Sequence, residues 1–163
     1  MNITIEGLDE LEARISKYAD KSSAAIRAGM YDGAREMLAA VTAEVENLPT
    51  EPNRYLREND KFNVFTETNK RDLLEGLYVH RFVEENSRIE TWVSFDGYGS
   101  VATKKYPNGI PNALIANAIN SGSSVRRKNR FMARAKKASE TLALAAIEEG
   151  FEDYLRKEGL LDG

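Results

Sequence analysis

The stretch DLLEGLYVHRFVEENSRIETWVSFDG, residues 72–97, decides the fold class. Asp72 to Leu77 has the leucine content of a short helix. Tyr78 to Glu84 and Arg88 to Phe95 then turn rich in β-branched and aromatic residues, with Glu85, Asn86 and Ser87 between them as turn formers. The pattern predicts a β-hairpin in a chain whose other periodic segments repeat at helical spacing.

Working outward from the hairpin, Asn2 to Glu6 alternates as a short strand. Leu8, Leu11, Ile15 and Tyr18 then mark a short amphipathic helix. Ser22 and Ser23 are placed to cap a longer second helix, in which Ile26, Met30, Met37, Val41 and Val45 recur at helical spacing with Ala34 and Leu38 beside them. Pro49 ends it. Residues 49–68 and 96–109 are polar, and both are expected to be long mobile loops. Pro111 opens a helix with the stripe Leu114, Ile115, Ala118 and Ile119, which Asn120 to Ser124 stops. The last helix is expected from about Arg130 to Lys157, with Phe131, Ala135, Ala138, Leu142, Ala145, Phe151 and Leu155 as its buried face. The expected class is α+β, with long helices packed on a small antiparallel sheet and two long polar loops, in a single domain over residues 1–163.

Composition narrows the function. With 42% hydrophobic and 30% charged residues the chain belongs among folded globular proteins. It has no cysteine, so disulfides, thiolate nucleophiles and cysteine-ligated zinc are excluded. No apolar run reaches the roughly 18–20 residues of a membrane-spanning helix, and the start MNITIEGLDELEARISK has neither a basic leader nor an apolar signal core. The expectation is a cytoplasmic protein with no membrane partner.

Catalytic motifs are missing. His80 is the only histidine, so a paired-histidine metal site cannot be built within one chain, and its place in the hairpin reads as strand packing or surface. Glu84 and Glu85 are neighbours on a strand, which sends their side chains to opposite faces. Gly97, Gly99 and Gly109 fit no phosphate-binding loop, and Ser121-Gly122-Ser123 lacks the nucleophile-elbow pattern. No enzyme, no metal and no cofactor are expected.

Charge is segregated. Between Asp96 and Glu140 there is no acid, while Lys104, Lys105, Arg126, Arg127, Lys128, Arg130, Arg134, Lys136 and Lys137 are all basic. The following segment carries Glu140, Glu148, Glu149, Glu152, Asp153, Glu158 and Asp162 against only Arg156 and Lys157. The basic stretch suits an acidic surface of another subunit, a phosphate backbone, or plain solvent. Nucleic acid alone is the weaker reading, because the whole chain has a net charge of −3 and the basic stretch interleaves few aromatics.

The order of elements, with GIPNALIANAINSG at 109–122 and RFMARAKKA at 130–138, resembles the gene-10-like tail-component family of the Hong Kong lambdoid phage over almost the full chain. That family has a helix ending in a Glu-x-Gly-Thr-like turn, a short basic loop, and a Pro-Phe-x-x-Pro-Ala start to the last helix. The matching residues here are Ala113 to Gly122, Ser123 to Asn129 and Arg130 to Ala135; Trp92 to Tyr98 and Gly109 to Asn112 also resemble it. Asn129-Arg130 and Ala133-Arg134 stand where the family has its prolines around Phe131.

The resemblance implies a virion morphogenesis protein. It would complete the tail or join it to the head as a ring of identical subunits, made in the host cytoplasm and ending in the particle. Its partners would be itself and neighbouring tail or head-connector proteins, with transient contact to phage DNA as the competing use of the basic loop. The subunit-contact residues expected are Arg126, Arg127, Lys128 and Arg130 on one surface, with Glu148, Glu149, Glu152 and Asp153 on the other. Phe131 is expected to anchor the core.

Overall fold

The computed structural model describes residues 8–51, 65–85, 88–122 and 127–160. The order of elements is α1 (Leu8–Glu46), α2 (Glu67–Glu75), β1 (Leu77–Val79), β2 (Val83–Glu85), β3 (Arg88–Glu90), β4 (Val93–Phe95), α3 (Asn112–Ser121) and α4 (Phe131–Lys157). The class is α+β. The strand expected over Asn2 to Glu6 lies outside the described residues.

The hairpin is present, with a defect in the middle. Leu77, Tyr78 and Val79 pair with Phe95, Ser94 and Val93, and Val83, Glu84 and Glu85 pair with Glu90, Ile89 and Arg88, both antiparallel. The ladders are two separate two-stranded sheets, with His80, Arg81 and Phe82 between them on one side and Thr91 and Trp92 on the other. His80 N–H still donates to the Trp92 carbonyl at 2.9 Å, so pairing breaks only beyond that point.

Two sequence expectations about helices are corrected. Ser22 and Ser23 do not start a second helix; they lie inside one 39-residue helix, with no glycine or proline nearby to break it. The short helix before the hairpin begins at Glu67 rather than near Asp72, because Thr66 and Asn69 form a reciprocal capping box. Asn69 N–H donates to Thr66 Oγ1 at 3.2 Å, and Thr66 N–H donates to Asn69 Oδ1 at 3.1 Å. The polar segment 49–68 therefore ends in a helix start. Its residues 52–64 lie outside the described part.

The core joins the four helices and the β1/β4 pair. Val45 lies on α1 and Leu48 just after it, Leu73 on α2, Phe95 on β4, Ala116 and Ile119 on α3 and Phe131 on α4, with Phe65 before α2. Phe131 is fully buried and meets Phe95 edge-on at 6.1 Å between ring centroids.

Away from this head, α1 and α4 run antiparallel as a two-helix arm. Arg134 pairs with Glu44 at the base and Lys21 with Glu158 at the far end. Small residues set the spacing: a Cβ added to Gly29 would sit 2.3 Å from the Ile147 carbonyl oxygen, and one on Gly33 would sit 2.9 Å from that of Ala143. This changes the buried face of α4. Phe131, Ala135, Ser139 and Ala143 are buried at steps of four, whereas Ala138, Leu142 and Ala145 are exposed. Close approach of the backbones selects the stripe of small side chains, and the larger Leu142 is left outside it.

The segment 96–109 is clasped at its base. Gly99 N–H donates to the Ile110 carbonyl at 2.8 Å and Asn112 N–H to that of Gly97 at 3.1 Å, with a bridge between Tyr98 and Pro111. Gly109 has φ of +97°, and a Cβ there would sit 1.9 Å from the Gly99 carbonyl oxygen, so only glycine fits. The buried Asp72 carboxylate accepts from Ser100 N–H at 2.6 Å and from its hydroxyl. Buried Asn112 donates to the carbonyls of Asp72 at 3.0 Å and Asp96 at 2.8 Å. Its tip has a turn of its own, in which Thr103 and Tyr106 exchange backbone hydrogen bonds at 3.0 and 3.1 Å.

Candidate subunit interface

The basic side of the candidate site lies at the corner between α3 and α4. Residues 127–130 form the described part of that connection, and Arg126 lies outside the described residues. Asn129 N–H donates to the Ile119 carbonyl and Arg130 N–H to that of Asn120, both at 3.1 Å, so the corner is built on the end of α3. Arg127, Lys128 and Arg130 are exposed. Arg127, Lys128 and Asn129 also form one wall of a cleft of about 270 Å³, opposite Pro49, Thr50 and Glu51.

Not all of the basic stretch is available. Arg134 holds Glu44 at 2.7–2.9 Å and the Asn129 side chain at 2.8 Å, which ties the start of α4 to α1. Lys136 and Lys137 are exposed on the first turns of α4.

The acidic side lies toward the other end of α4. Glu148, Glu149 and Glu152 are exposed and Asp153 is half-buried. Glu152 and Asp153 are spent in part on Arg156, at 2.9 and 3.0 Å, whereas Glu148 and Glu149 have no ion-pair partner among the described residues. Glu149 and Asp153 share a groove of about 490 Å³ with Asp32, Glu36 and Arg35 of α1. Asp32 and Glu36 were not singled out from sequence. Their spacing of four residues puts them on one helix stripe, but only the antiparallel pairing with α4 brings them beside Glu149.

Within one chain the two charged surfaces do not meet. From Arg130 to Glu148 the helix rises roughly 27 Å, and to Asp153 roughly 35 Å, at 1.5 Å per residue. Any pairing between them is between copies.

A polar cluster on the hairpin surrounds His80. Its Nε2 lies 2.7 Å from Tyr78 Oη and 2.6 Å from Ser94 Oγ, and its ring stacks on Trp92 at 4.5 Å. Tyr78 and Ser94 are paired across β1 and β4, and His80 stands opposite Trp92, so the hairpin register explains the cluster. Among the described residues no carboxylate is bonded to the imidazole, and no group of acids and histidine is arranged to hold a metal ion. The side chains of Glu84 and Glu85 lie outside the description. Among the described residues no helix is long and apolar enough to cross a membrane.

Comparison with protein-family models, curated proteins and solved structures finds no match. The likeness to the tail-component family rests on the sequence motifs quoted above.

Proposed function

We propose that the chain is a structural component of a long-tailed bacteriophage or prophage particle, completing the tail or joining it to the head as a ring of identical subunits. The observation that carries the reading is the placement of charge. Arg127, Lys128 and Arg130 stand at one end of a 27-residue helix, and Glu148 and Glu149 stand exposed toward the other. A closed ring uses two different surfaces of each subunit, and surfaces of opposite sign favour the head-to-tail contact over self-pairing of either one. Exposed ion pairs contribute only about 0–1 kcal/mol each, so charge sets register and encounter rate while apolar contacts supply most of the affinity.

The test is reversal of Arg126, Arg127 and Lys128 to glutamate, read as incorporation into particles and as mass in the presence of the neighbouring virion proteins. Loss of rings, restored by reversing Glu148, Glu149, Glu152 and Asp153 to lysine, is the expected result. Intact rings with poor DNA delivery would instead place the basic corner in the channel, where it meets phosphates.

A further inference from the structure

The basic corner is mounted on two elements. One mount is the end of α3: besides the backbone bonds to Ile119 and Asn120, the Asn120 side-chain oxygen accepts from Met132 N–H at 3.2 Å. The other is α1, reached through the side chain of Arg134. Both edges of its guanidinium are used. Nε and Nη2 donate to Glu44 Oε2 at 2.9 and 2.7 Å, while Nη2 also donates to the Asn129 side-chain oxygen at 2.8 Å and Nη1 to the Asn129 carbonyl. A planar fork of five donors holds two acceptors in fixed directions at once, whereas a lysine ammonium is a point on a flexible stem.

We propose that Arg134 is a positioning residue: by tying Asn129 to α1 it fixes the direction in which Arg127, Lys128 and Arg130 face a neighbouring subunit. The proposal rests on the reading of that corner as a subunit contact. Arg130 turns the chain in a left-handed conformation with no side-chain cap on α4, so the turn has no lock of its own. The three corner cations are exposed, whereas the charge of Arg134 is already matched by Glu44. A corner ordered before it meets a partner has less freedom to lose on binding, so the clamp raises affinity without touching the neighbour.

Position and fold can be separated, because Arg134 is 50% exposed and exposed ion pairs contribute little to stability. Arg134→Lys keeps the charge and removes the fork. Asn129→Ala keeps the Glu44 pair and removes one acceptor of the fork, and it carries the test if Arg134→Lys does not fold. Because the chain has no cysteine, a spin label on Lys128→Cys reports motion of the corner in the free protein. Both variants are expected to melt with the parent and to mobilise the label, Arg134→Lys the more. Without the label, and with the neighbouring virion proteins present, Arg134→Lys is expected to weaken ring formation at least about 10-fold, the cost of ordering a loosened corner on binding.

A label as ordered in both variants as in the parent would overturn the proposal. So would a mobile label with ring formation unchanged, which would show that the direction of the corner does not matter. Rings that survive reversal of Arg126, Arg127 and Lys128 would refute the contact reading, and with it the effect on assembly drawn here. The label, measured on the free protein, tells that failure apart from a failure of the clamp.

Discussion

Arg130 is the one non-glycine residue with a positive φ among the described residues, at φ 59° and ψ 28°. It caps α4 without a side-chain bond, and its left-handed backbone lets the chain turn from the end of α3 into Phe131. Proline could not stand there, since its ring holds φ near −65°. Such a conformation costs an L-residue roughly 1–2 kcal/mol, partly offset in glycine by its greater chain entropy. Arg130→Gly is therefore expected to stabilise the fold by about 0.5–1 kcal/mol in urea unfolding, while removing a charge from the basic corner. One residue on, Phe131→Ala should cost on the order of 3 kcal/mol or more, because the fully buried ring fills the space against Phe95. Thermal unfolding of that variant would show the loss directly.

Among the elements, α1 is the one whose sequence and structure pull apart most. Gly29 and Gly33 weaken it as an isolated helix, each by about 1 kcal/mol relative to alanine. On propensity alone Gly29→Ala would stabilise. In the arm the new Cβ would meet the Ile147 carbonyl at 2.3 Å and the Phe151 backbone nitrogen at 3.1 Å, and backbone cannot step aside as a side-chain end can. The expected outcome is destabilisation by about 1–3 kcal/mol, with lower helix content on heating. The loop 96–109 depends in the same way on a partner from another element. Asp72→Ala would leave Ser100 N–H and hydroxyl without their acceptor and should cost about 1–3 kcal/mol, with faster proteolysis within the loop than in the parent.

At the scale of the whole molecule, large buried side chains gather in the head, and the arm is held by small residues at a single helix-to-helix seam. Stability should grade accordingly. Hydrogen exchange is expected to be slowest over α2, α3 and the adjoining parts of α1 and α4 near Val45 and Phe131, and faster in the arm around residues 21–30 and 146–157. Protection uniform along α1 would show that the arm gains its stability elsewhere, and protection that rises with protein concentration would show that a second copy supplies it.

The sequence by itself determined the α+β class, the antiparallel strands after α2, the helix after Pro111, the limits of the last helix, and the division of the chain into basic and acidic parts. These are local matters: alternation, turn chemistry, capping and charge are written in residues close together along the chain. The end of α4 is a clear case, where Gly159 at φ 66° and Leu160 close a Schellman turn onto Arg156 and Leu155. Tertiary structure alone decided the rest. It joined α1 across Ser22 and Ser23, turned Leu142 outward in favour of Ser139 and Ala143, brought Asp32 and Glu36 beside Glu149, and pinned Ser100 to Asp72. Each of these depends on which surfaces face one another across the fold. A periodicity shows that a helix has an apolar side, but how closely a partner's backbone approaches fixes which residues of that side are buried.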